Sequence, residues 1–166
     1  MKGTSTGRRY TMAPITSPLS GEAKTTTAKC LQGALMDLID LSLVGKQLHW
    51  NVIGPNFRSV HLQLDEVVSL ARAHTDIVAE RLVALGANAD GRAATVSKST
   101  KLTQPESGWI ESGKVAATMT DILDGVSKRM RERIDLTDET DQATQDIIIA
   151  VTQEIEKQRW MFQAMS

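Results

Sequence analysis

The chain is poor in aromatic residues, proline and cysteine. Aromatics make up 4% of 166 residues: two Phe, three Trp and one Tyr. Sandwiches and barrels lean on aromatic side chains to fill a pleated surface, so this scarcity favours an aliphatic helical core. Four prolines and eleven glycines are too few for a turn-rich all-β chain. Cys30 is the lone cysteine, which excludes an internal disulfide and any zinc site made of several thiolates. No apolar run approaches the roughly 18 residues that a membrane helix needs. The longest clean run is Ile147 to Val151. No apolar segment follows Arg8-Arg9, so that pair does not read as an export signal. The expectation is one soluble, cytoplasmic unit with no membrane contact.

What is present is an ordinary globular balance, 41% hydrophobic and 23% charged, enough for a sizeable core. The net charge of −1 hides an asymmetry. Residues 1–30 carry Lys2, Arg8, Arg9, Lys24 and Lys29 against Glu22 alone, a net +4, so the rest of the chain holds −5. Residues 1–26 are rich in Ser, Thr, Gly and Pro without a hydrophobic period and read as an irregular basic tail. Residues 27–166 read as the folded unit.

Within that unit the pattern is helical. Leu31, Ala34, Leu35, Leu38, Leu41, Gly45, Leu48 and Val52 recur at threes and fours from about Thr27 to Ile53. Gly54-Pro55 ends that helix. A second helix is expected from Asn56 to Leu85. Its stripe is Phe57, Val60, Leu64, Val67, Val68, Ala71, Val78, Leu82 and Leu85, and Gly86 stops it. Residues 87–104 form a long connection with room for one short helical turn. Pro105 suits the first position of a third helix reaching Ile134. A fourth runs from about Glu139 to Met165 and carries Ile147, Ile148, Val151, Ile155 and Phe162. Two hairpins with a long crossover between the second and third helices give an all-α fold, the ferritin-like variant of the four-helix bundle.

Chemistry-bearing residues gather on the second helix. His49 precedes Pro55 by six residues and His61 follows it by six, so a hairpin folded there brings both to one height. Asp65, Asp76 and Glu80 lie about 40°, 60° and 100° round from His61, on one continuous face. Histidine with carboxylate suits iron, zinc or manganese. Asp65 and Asp76 are about 16 Å apart along the axis, too far for one ion. One chain therefore offers two half-sites, His49 with His61 and Asp65, and Asp76 with Glu80. A twofold dimer with antiparallel second helices, its axis near Leu70 and Ala71, unites them into two whole sites. The competing reading is a solvated charged face, with Arg72 and Arg81 neutralising Asp76 and Glu80. His74 points off the stripe and is given no role.

Leu48-His49-Trp50-Asn51-Val52 and Gly54-Pro55-Asn56-Phe57, with His61, Asp65, Asp76 and Glu80 at these spacings, resemble the Dps family of mini-ferritins. The resemblance continues through Trp160-Met161 and covers about residues 27–166. Larger ferritins use a Glu-x-x-His pair within one bundle. Here Lys46, Arg58 and Ala71 stand three residues before the histidines, so no such pair exists.

The resemblance implies a bacterial, dodecameric shell that oxidises iron(II) at a two-iron centre on the dimer interface. Hydrogen peroxide is the preferred oxidant, ferric mineral is stored, and no organic cofactor is needed. It assigns His49, His61 and Asp65 from one chain and Asp76 and Glu80 from its partner. Asp65 and Glu80 would be the main anionic ligands. Asp76 would bind a second ion or orient a histidine. Trp50 either quenches a stray oxidising equivalent or is simply a core side chain. Acidic threefold pores are expected between the third and fourth helices. Asp141 and Asp146 are the chief candidates among Glu132, Asp135, Asp138, Glu139 and their neighbours; the alternative is that these acids favour a helix start. The cationic tail, through Lys2, Arg8, Arg9 and Lys24, suits non-specific, salt-sensitive DNA binding and a nucleoid association. The alternatives are a mainly architectural DNA-compacting protein with minor iron chemistry, and a plain helical bundle.

Overall fold

A computed structural model of the chain describes residues 15–165. The apolar stripes become four long helices and one short one. α1 spans Gly21–Asn51 and leads through β1 (Val52–Ile53) and a tight Gly54-Pro55-Asn56 turn into α2 (Phe57–Ala84). A long crossover containing α3 (Ala93–Ser99) ends in β2 (Ile110–Glu111). α4 (Ser112–Thr137) and α5 (Gln142–Gln163) complete the bundle. α1 packs chiefly on α2 and α4 chiefly on α5. Leu31, Leu38, Leu41 and Leu48 of α1 meet Leu64 and Leu82 of α2, Met119, Leu123 and Met130 of α4, and Ile148 and Phe162 of α5 in one fully buried core. Among the described residues no helix is long and apolar enough to cross a membrane.

β1 and β2 pair in parallel, Val52 with Ile110 and Ile53 with Glu111. This small pairing fixes the topology. It returns the crossover to the end of the bundle where α1 stopped, so α2 and α4 start side by side. Glu111 then caps α4, accepting from the backbone N–H of Gly113 at 2.7 Å and Lys114 at 3.2 Å. Gly54 sits at φ +108, where a Cβ would come within 3.0 Å of Glu111 Oε1. The turn therefore needs glycine both for its backbone and for its room.

Three expectations need correction. The third long helix starts at Ser112 rather than Pro105. Gly108, at φ +97, and the extended pair Ile110–Glu111 interrupt the intervening segment. α1 starts at Gly21, not Thr27. Its first turn and a half is polar, so periodicity does not register it, yet Thr27 is fully buried and donates to Thr140 Oγ1 at 3.0 Å. Lys24 accordingly lies on α1, while Lys2, Arg8 and Arg9 lie outside the described residues. Phe57, expected on the core stripe, is 44% exposed and leans over the His61 ring at the bundle edge.

Candidate metal centre

The α1–α2 hairpin brings its two histidines face to face. The His49 and His61 rings stack at 3.7 Å between centroids and 22° between planes. Each ring also bonds the other's backbone. His49 Nδ1 lies 2.9 Å from the His61 carbonyl oxygen, and His61 Nδ1 lies 2.9 Å from the His49 carbonyl oxygen. Carbonyls only accept, so Nδ1 of each ring carries the hydrogen. A neutral ring then keeps its lone pair on Nε2, the form in which histidine binds a metal.

Asp65 completes the group one turn along α2. A nitrogen of each ring and a carboxylate oxygen of Asp65 all lie within 4.8 Å of one another. His49 is buried, and Asp65 is open to solvent on one side. Lys46 Nζ sits 2.5 Å from Asp65 Oδ1. This hydrogen bond, reinforced by the positive charge and by the nearby imidazoles, holds the Asp65 carboxyl below its ordinary value against a smaller effect of desolvation. The carboxylate is thus ionised and already faces a cation. Sequence reasoning passed over Lys46. Its signal was its place one turn before His49, on the α1 face that meets α2.

Asp76 and Glu80 do not join this group. They lie on the exposed face of α2, and among the described residues no hydrogen bond or ion pair engages either side chain. Arg81, considered as a partner for Glu80, turns elsewhere. Its Nη2 donates to Asp141 Oδ2 at 2.7 Å and its Nε to Thr144 Oγ1 at 3.1 Å. The chain therefore carries one assembled group, His49 with His61 and Asp65, and leaves Asp76 and Glu80 open on the exposed face of α2. Along the same helix α2 also exposes Leu62, Ile77 and Val83.

The Ferritin family, described as a ferritin-like domain, matches residues 28–166. A DNA protection during starvation protein from Agrobacterium fabrum is 35% identical over 147 residues, 88% of this chain and 91% of that protein. The chain belongs to the Dps family. Dps from Mycobacterium smegmatis, in a tetragonal crystal form, superposes with a TM-score of 0.87 at 33% identity, covering 93% of this chain and 94% of that one. Dps from Microbacterium arborescens, in a high iron form, gives a TM-score of 0.85 at 31% identity over 90% of this chain and 97% of that one.

The other residues named from the sequence fall into different surroundings. Trp50 is 65% exposed, so in the single chain it is not a core side chain. Asp141 is nearly buried. Burial raises its carboxyl, but hydrogen bonds from Thr144 and Arg81 outweigh that and hold it below the ordinary value. Its charge is spent inside the fold, where it joins α2 to the start of α5. Asp146, together with Asp138 and Glu139, is exposed. His74 is buried between α2 and α5, its Nε2 3.4 Å from Glu154 Oε1.

Proposed function

We propose that this protein oxidises iron(II), preferentially with hydrogen peroxide, and stores the ferric product as mineral inside a dodecameric shell, protecting DNA from oxidative damage in the bacterial cytoplasm. The observation that carries this reading is the His49–His61–Asp65 group, with both rings held as Nδ1–H tautomers. The open carboxylates Asp76 and Glu80 support it, lying about 16 and 22 Å further along the helix at 1.5 Å per residue. An antiparallel pairing of α2 with a second copy, over exposed Leu62, Ile77 and Val83, would set one copy's carboxylates against the other copy's histidines and cover that apolar face.

The chemistry suits those ligands. Two iron(II) ions each give one electron to a peroxide, whose O–O bond breaks to two hydroxides, and no free hydroxyl radical is released. The ferric ions hydrolyse and release protons. Each carboxylate offsets metal charge, and the 3+ product needs that more than the 2+ reactant does. Asp65 is the first acceptor of iron, which must displace Lys46 from it. Exposed Asp146, with Asp138 and Glu139, supplies the acidic approach for iron, and Asp141 braces it. Trp50, which follows His49 in the chain and is open to the surface, would take up a stray oxidising equivalent.

A DNA-binding role in nucleoid association is favoured by the +4 charge of residues 1–30. The test of the main reading is the initial ferric absorbance after iron(II) and peroxide are mixed without oxygen. Asp65→Ala and Glu80→Ala shells should be slowed at least about tenfold. Glu106→Ala, on the exposed crossover, should match the wild type. Wild-type rates in both carboxylate variants would remove the centre from this site. Mass measurement tests the shell, since a monomer would end that part.

A further inference from the structure

A second polar cluster lies away from the metal centre, where α1, α3 and the C-terminal half of α4 meet. Asp37 of α1 is 2% exposed, and two guanidiniums converge on it. Arg129 donates to both carboxylate oxygens, from Nη2 at 2.8 Å and from Nε at 3.1 Å. Arg133 reaches the other edge, its Nη1 2.7 Å from Asp37 Oδ2. Gly33 permits that reach, since a Cβ there would sit 2.9 Å from Arg133 Nη2. A glycine inside a helix is destabilising, and here it clears the space the guanidinium occupies.

These groups floor a cleft of about 500 Å³, with Ser99 and Lys101 also lining it. Its charges do not balance. Lys101, Arg129 and Arg133 stand against Asp37 and Asp90, and Asp90 is already matched by Arg92, whose Nε and Nη2 donate to it at 2.9 and 2.6 Å. Three cations thus face one carboxylate. Donors are also in excess. Among the described residues, Nε and Nη2 of Arg133 and Nζ of Lys101 donate to nothing. A doubly charged oxyanion would use both surpluses. Its several acceptor oxygens fit a planar guanidinium edge on one side and a lysine point charge on another.

We propose that this cleft binds a phosphate group, held by Lys101 and the unused edge of Arg133, with Arg129 fixed beside them by Asp37. The phosphate is either inorganic phosphate or a phosphate of a polynucleotide backbone, and two assays separate them. Neither depends on the iron chemistry. The first is calorimetric titration of the full-length assembled protein with inorganic phosphate, with sulfate as competitor. The second is retardation of duplex DNA at low salt. Lys101→Glu tests the cleft, Lys98→Glu makes the same charge change outside it, and thermal unfolding checks that both variants fold. Loss of a charge-assisted contact should weaken binding about tenfold or more in Lys101→Glu. Phosphate uptake lost with DNA retardation equal to that of Lys98→Glu identifies inorganic phosphate. Retardation lost beyond that of Lys98→Glu identifies the backbone. Equal behaviour of the two variants in both assays overturns the proposal.

Discussion

Two slowed variants of this protein should complement each other to a calculable degree. In one chain the histidine half-set lies around Asp65, and Glu80 stands about 22 Å further along α2 by helical rise. If a second copy supplies the missing half, each twofold pair holds two centres. An Asp65→Ala shell damages one half of every centre and a Glu80→Ala shell damages the other. Either should fall to about one-tenth of the wild-type rate or less. In a mixed shell a centre is whole only when its histidine side comes from the Glu80→Ala chain and its carboxylate side from the Asp65→Ala chain. For a fraction x of one variant the whole centres follow x(1−x), so random pairing at equal amounts leaves about one centre in four intact. The assay is peroxide-driven ferric absorbance, without oxygen, on shells assembled from both variants at several ratios. The rate should rise from both ends to a maximum near a quarter of wild type at equal mixing. A flat profile at the level of the parents would mean that Asp65 and Glu80 do not share a centre across two chains.

Other outcomes follow from the packing and charge. Gly86 closes α2 at φ +71, and a Cβ there would lie 2.6 Å from the Ile15 carbonyl oxygen. Gly86→Ala should destabilise the fold by at least the roughly 1–2 kcal/mol of the left-handed backbone, read as a lowered Tm. Asp141 titrates below its ordinary value in the fold. Its contribution is therefore full above the unfolded value of about 4 and is lost as pH falls through the lower folded one. A Tm series from neutral pH to about pH 2 should fall less steeply at its acid end in Asp141→Asn than in the wild type. Deleting residues 1–15 should weaken DNA retardation at low salt and leave the ferroxidase rate unchanged. Equal retardation by the truncated shell would move DNA binding to another surface.

Much of the bundle is legible in sequence because long amphipathic helices repeat their signal many times. Leu31 to Leu48 and Leu64 to Leu82 each declare one buried face over several turns. The meeting of His49 and His61 is legible for a different reason: they are equidistant from Pro55 in a hairpin too tight to slip. Contacts between distant segments are not. Nothing local says that Glu111 will cap α4, so Pro105 looks like the better start. Arg81 stands next to Glu80 in the chain yet bonds Asp141, sixty residues on, because Arg81 and Glu80 project about 100° apart around α2. The same holds for Asp37, whose partners Arg129 and Arg133 belong to another helix. The reach of α1 back to Gly21 escapes periodicity because Thr25 and Thr26 replace apolar residues, although Thr27 is as buried as any leucine.

The reciprocal histidine clasp separates shape from reactivity. Each Nδ1–H belongs to the architecture of the hairpin, and each Nε2 is left out of it. An asparagine at either position could keep a comparable N–H toward the facing carbonyl while offering no ring nitrogen. Such a chain would be an intact scaffold with a silent centre, which alanine at the same position, removing both functions together, cannot provide.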